Sequence, residues 1–74
     1  MTTDRPTKRS LTLRGHRTSV SLEAAFWEEF QRIARARGRS VNSLASELDA
    51  DRIPPNSLAS AIRLFVLREV RAGR

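Results

Sequence analysis

From Arg17 to Leu22 the chain alternates strictly. Thr18, Val20 and Leu22 fall on one side of an extended segment, and Arg17, Ser19 and Ser21 on the other. This predicts a short strand with one buried and one exposed face. A single strand leaves its N–H and C=O groups without partners, and no later stretch repeats the pattern as cleanly. The expected partner is therefore the same strand from a second copy, giving a two-stranded antiparallel ribbon. Upstream, Ser10-Leu11-Thr12-Leu13-Arg14 also alternates, but Leu11 and Leu13 occupy odd positions, out of phase with Val20 and Leu22. A continuous strand would put apolar residues on both faces. A bend or bulge near Gly15-His16 is expected to reset the phase.

After Leu22 the period changes. Phe26, Phe30, Ile33 and Ala34 recur at i, i+4, i+7 and i+8, which predicts a helix over 23–37 with Trp27 widening its apolar stripe. Glu23, Glu28 and Glu29 come early and Arg32, Arg35 and Arg37 late, as the helix dipole favours. Gly38 is placed to end this helix in the left-handed region. Ser40 is placed to cap the next, expected over 41–50 with Val41, Leu44, Ala45 and Leu48 inward. Pro54 and Pro55 interrupt any helix. Asn56 or Ser57 then opens a third helix over 57–71. Leu58, Ile62, Phe65 and Val66 lie on one side of it, Leu64 and Leu67 on another. A helix that is apolar on two sides is expected to be covered on two sides, which points to another chain.

Composition narrows the choices. With 74 residues the chain is one domain with little core to spare. It has no cysteine, hence no disulfide and no thiolate metal site, and a single histidine, His16, cannot hold a metal alone. Association is the remaining stabiliser. The absence of cysteine is compatible with a reducing cytoplasm. The first residues lack the apolar core of a signal peptide, and the longest apolar run, Leu64 to Leu67, is too short for a membrane span.

Charge is uneven. Fourteen Lys and Arg against eight Asp and Glu give +6. Residues 1–21 hold five cations and one anion; residues 22–50 hold four arginines and five acids; residues 51–74 hold five arginines and two acids. A cationic N-terminal third on a near-neutral scaffold favours a polyanionic partner. Residues 1–9 read as a flexible basic arm able to meet phosphates through Lys8 and Arg9. Ser40-Val41-Asn42-Ser43 opens a helix, where backbone N–H groups bind anions and Ser and Asn side chains add donors. No glycine-rich phosphate loop, metal-ligand spacing or catalytic dyad is present, so neither an enzyme nor a cofactor is expected.

Strand, helix, Gly38-containing turn and helix, in this order and length, resemble the ribbon-helix-helix family of bacterial and phage repressors. Gly38-Arg39-Ser40-Val41-Asn42-Ser43 is very similar to the turn of the Arc type. Arg9-Ser10-Leu11-Thr12-Leu13-Arg14-Gly15-His16-Arg17-Thr18-Ser19-Val20-Ser21-Leu22-Glu23, with Phe26-Trp27, resembles a bacterial subfamily that also carries a C-terminal helix like Asn56 to Arg63. The resemblance implies a mainly α fold with one short strand: an intertwined homodimer sharing a two-stranded ribbon, plus a third helix. It implies an arm over 1–9, a core over 10–50, and a loop and helix over 51–74. It also implies a cytoplasmic transcriptional regulator that binds double-stranded DNA as a dimer or tetramer. Carried over by position, Arg17, Ser19 and Ser21 would read bases, and Ser40, Val41, Asn42 and Ser43 would hold phosphates; Lys8, Arg9 and Arg14 are expected, by their charge, to add phosphate contacts. Val20, Leu22, Phe26, Phe30, Ile33, Val41, Leu44 and Leu48 would form the dimer core. The alternative is an antitoxin-like module that binds a partner protein through the arm or the third helix.

Overall fold

The computed structural model describes residues 4–73. Its elements are β1 (Thr7–Leu13), β2 (His16–Leu22), α1 (Ala24–Ala36), α2 (Val41–Asp51) and α3 (Leu58–Arg71). The two strands form one antiparallel hairpin. Within this chain the 17–22 strand pairs with β1, a second strand that the sequence expectation did not include.

The register explains the phase problem. Leu13 faces His16 across the two-residue loop Arg14-Gly15, and every residue then faces one of opposite parity: Leu11 faces Thr18 and Arg9 faces Val20. Odd positions of β1 and even positions of β2 share a face, so Leu11, Leu13, Val20 and Leu22 all point inward without any bulge. Both loop residues have positive φ, 51° at Arg14 and 83° at Gly15. That is the requirement of the type I′ turn, whose twist matches that of the strands it joins. Gly15 meets it at no steric cost.

The helices start and stop where local chemistry allows. The first free N–H groups of α1 are taken by a distant residue: Ala24 N–H donates to Asp4 Oδ1 at 3.0 Å and Ala25 N–H to Asp4 Oδ2 at 3.2 Å. Asp4 belongs to the stretch expected as an arm, and Thr7, Lys8 and Arg9 of the same stretch stand in β1; residues 1–3 lie outside the described residues. At the other end of α1, Gly38 has φ 65°. Gly38 N–H bonds Arg35 O at 3.0 Å and Arg39 N–H bonds Ala34 O at 2.9 Å, the paired bonds of a Schellman motif. Ser40 Oγ accepts Ser43 N–H at 3.0 Å and caps α2; Ser57 Oγ accepts Ser60 N–H at 3.1 Å and caps α3.

The hairpin lies with its inner face on the three helices. β1 runs beside α2, β2 beside α3, and α3 packs on both α1 and α2. Leu11, Val20, Leu22, Phe30, Ile33, Ala34, Leu44, Ala45, Ile62 and Val66 are buried together. Of the residues expected at a dimer core, Val20, Leu22, Phe30, Ile33 and Leu44 are buried within the chain, and Phe26, Val41 and Leu48 are partly buried at the margin of this cluster. Burying side chains such as Phe30 and Ile62 contributes about 1.5–3 kcal/mol each. Phe30 and Phe65 meet edge to face, with centroids 6.1 Å apart.

Arg63 ties three elements. Its Nε donates to Glu23 Oε1 at 2.9 Å, its Nη2 to the Ser21 carbonyl at 3.1 Å, and its guanidinium lies over Phe26. Glu69, buried on α3, pairs with Arg37, whose guanidinium lies over Phe65. The two-sided character of α3 is as expected. Ile62 and Val66 are buried, while Leu64, Leu67 and Val70 are 43%, 46% and 48% exposed.

Candidate nucleic-acid interface

The outer face of the hairpin carries three cross-strand pairs: Lys8 opposite Ser21, Ser10 opposite Ser19, and Thr12 opposite Arg17. All six residues are exposed. The face holds two cations, three serines and one threonine, and no acid. Arg17, Ser19 and Ser21 stand here together, as their alternation predicts. Lys8 joins them at the end far from the turn. Arg9 does not: it shares the inner side with Val20, and its guanidinium lies 5.8 Å from the Trp27 ring centre. Its Nε is buried without a hydrogen-bond partner, beside the Trp27 ring face.

The start of α2 adjoins the hairpin. Asn42 Oδ1 accepts the backbone N–H of Thr12 at 3.0 Å, and Arg14 Nη2 reaches the Ser46 carbonyl at 3.5 Å. Arg17 lies directly across from Thr12, so its row and the first turn of α2 form one continuous surface. Within that turn Ser40 Oγ is committed to capping. Arg39 Nη2 donates to Ser43 Oγ at 2.9 Å, and Arg39 also pairs with Glu47. Ser40, Asn42 and Ser43 are exposed; Val41 is half-buried against the core. The first N–H groups of a helix have no carbonyl four residues back, so the positive end of the α2 dipole lies at this turn.

Electrostatic shifts lie away from this face. The hydrogen bond from Arg63 is the largest influence lowering the Glu23 carboxyl below the usual glutamate value, followed by a bond from its own backbone N–H. Arg32 likewise lowers Glu29 on the exposed side of α1. Among the described residues, no group of His, Asp or Glu is arranged to hold a metal, and no helix is long and apolar enough to cross a membrane.

Sequence reading missed Ser10 and Thr12, because it placed their segment outside the ribbon. The signal was present. Two alternating stretches of opposite parity, joined by two residues ending in glycine, place both apolar sets on one face when the chain folds back.

With hairpin, turn and helix pair in view, the family can be stated. A model of the ribbon-helix-helix domain matches residues 6–70. The chain belongs to the ribbon-helix-helix domain family. The match takes in β1 and nearly all of α3 as well as the strand, helix and helix of the sequence resemblance. Proteins of this family are generally DNA-binding transcription regulators or antitoxins, and typically bind DNA as dimers. No curated protein and no solved structure matches the chain.

Proposed function

We propose that this ribbon-helix-helix protein is a sequence-specific double-stranded DNA-binding protein, a transcriptional regulator of the repressor type, acting in the cytoplasm as a homodimer. The observation that carries the proposal is the outer face of the hairpin: exposed, cationic, rich in hydroxyls, free of acids and continuous with the start of α2. The major groove admits a two-stranded ribbon. Arg17 has the reach and the fork for the O6/N7 edge of guanine, while the hydroxyls of Ser19 and Ser21 accept several bases. The opening amides of α2, with Ser40, Asn42 and Ser43, meet backbone phosphates, and Lys8 and Arg14 add charge at the two ends of the hairpin. Arg9 is left out of this set, because its guanidinium serves Trp27.

The outward Leu64, Leu67 and Val70 of α3 favour contact with another chain. A second copy there makes the dimer, and a partner protein there would make the chain an interaction module of the antitoxin kind. Selection of bound sites from a random duplex library, followed by titration at several salt concentrations, tests the main reading. A recovered consensus containing guanine, with affinity falling steeply as salt rises, is expected. Recovery of no consensus would reject it.

A further inference from the structure

The outward side of α3 repeats at heptad spacing. Ser60, Leu64, Leu67 and Arg71 follow one another at steps of four, three and four, which puts them in one row along the helix. The row lies opposite the buried Ile62, Val66 and Glu69, with Leu64 and Leu67 nearly half exposed. We infer that α3 is a self-pairing helix: two copies of the chain meet along this row in antiparallel order, Leu64 of each against Leu67 of the other and Arg71 against Ser60. The inference rests on the reading above that a second copy covers this face, and adds the orientation and register of the contact. It uses no residue of β1 or β2, so it adds to whatever pairing the strands make with a second copy.

Charge decides the orientation. A parallel pair would stack Arg71 on Arg71. It would also set Arg63 beside Arg68 of the other copy, because the residues flanking a parallel seam on its two sides face each other. Both are like-charge contacts. The antiparallel pair removes both: Arg71 lies across the small Ser60, Arg63 flanks Val70, and Arg68 flanks Ala61. A two-fold axis between Leu64 and Leu67 makes the two halves identical, as a closed isologous contact requires.

The neighbouring surface favours a copy of this chain over another kind of partner. Leu67 and Val70 also wall an apolar groove against Ala25 and Phe26 of α1, with Glu29 at its edge. The face thus carries an acid as well as arginines, and suits a surface of its own mixed charge better than one of a single sign. Pairing also orders no new helix, because Ile62 and Val66 already hold α3 in the core and Ser57 caps it.

Sedimentation of the full chain with charge variants tests this, with the melting midpoint as the control for folding. Ser60 is the third residue after the Ser57 cap, where a glutamate completes a capping box. Ser60→Glu sets an acid against Arg71 of the other copy and should tighten association about fivefold, from two exposed ion pairs per seam. Ser60→Lys should weaken association by a similar factor, and Ser60→Lys with Arg71→Glu should restore it. These last two changes both oppose the helix dipole, so a recovery does not come from a firmer helix. In a parallel pair the Ser60→Glu carboxylates would face each other, and weaker association of that variant would overturn the inference. Leu67→Lys separates this inference from the reading beneath it. Association that is lost with Leu67→Lys but indifferent to the charge series overturns the antiparallel seam alone. Association unchanged by Leu67→Lys means that another protein, or none, covers this face, and overturns that reading and this inference together.

Discussion

Asn42 Oδ1 accepts the backbone N–H of Thr12 at 3.0 Å, across thirty residues of sequence. The bond locks β1 to the first turn of α2, so the hairpin face and the helix start hold one fixed relation. Asn42→Ala should remove about 0.5–1.5 kcal/mol of stability and raise hydrogen exchange at the Thr12 amide. Asn42→Asp, which keeps the acceptor, should retain the protection. Equal exchange in all three proteins would show that the bond does not hold in solution.

The Ser40 cap has a cleaner stability signature. Ser40→Ala loses the bond from Ser43 N–H and should cost about 1 kcal/mol in a denaturant titration. On DNA it should weaken all duplexes alike, because phosphate contacts carry no sequence information. A changed consensus would contradict a phosphate role for this helix end.

The two sides of α3 should respond differently. Ile62 is fully buried, and Ile62→Ala should destabilise by about 2–5 kcal/mol. Leu67 is 46% exposed, so Leu67→Lys should leave the fold of one chain nearly intact. In sedimentation it should shift the protein toward monomer. Unchanged association would exclude this face of α3 from the interface.

Acid should weaken the clamp between α3 and the start of α1. The folded Glu23 carboxyl titrates below its usual range because Arg63 donates to it. Its contribution is therefore present above the unfolded value, about pH 4.3, and is lost as pH falls through the folded value. The stability gap between wild type and Glu23→Gln should be constant near neutrality and close in acid. A gap that persisted at pH 2 would show that ionisation of Glu23 plays no part.

Arg17 should carry most of the base discrimination. Arg17→Ala should cost roughly 1–3 kcal/mol per contacted base pair on the selected site and relax its guanine preference. Lys8→Ala and Arg14→Ala should instead weaken selected and scrambled duplexes together and flatten the salt dependence. Equal losses on both duplexes for Arg17→Ala would reduce it to a phosphate contact.

Much of this fold is written locally. The 3.6-residue recurrence of Phe26, Phe30, Ile33 and Ala34, the glycine at 38, the caps at Ser40 and Ser57 and the proline pair each act within a few residues, and each helix falls within a residue of its expected place, whereas β1 starts three residues before the extended segment expected there. The alternation of Arg17, Ser19 and Ser21 likewise sets one face of a strand, because side chains on a strand take opposite sides in turn. Tertiary structure decided what periodicity leaves open. Alternation says that a strand needs a partner but not which one, and the conformation of Arg14-Gly15 turned β1 back onto β2. It also recruited Asp4 to cap α1, set Arg9 over the Trp27 ring, and gathered Val20, Leu22, Phe30, Ile33 and Leu44 into one buried cluster. These outcomes depend on contacts between residues far apart in sequence, where register and packing choose among partners that are equivalent in local pattern.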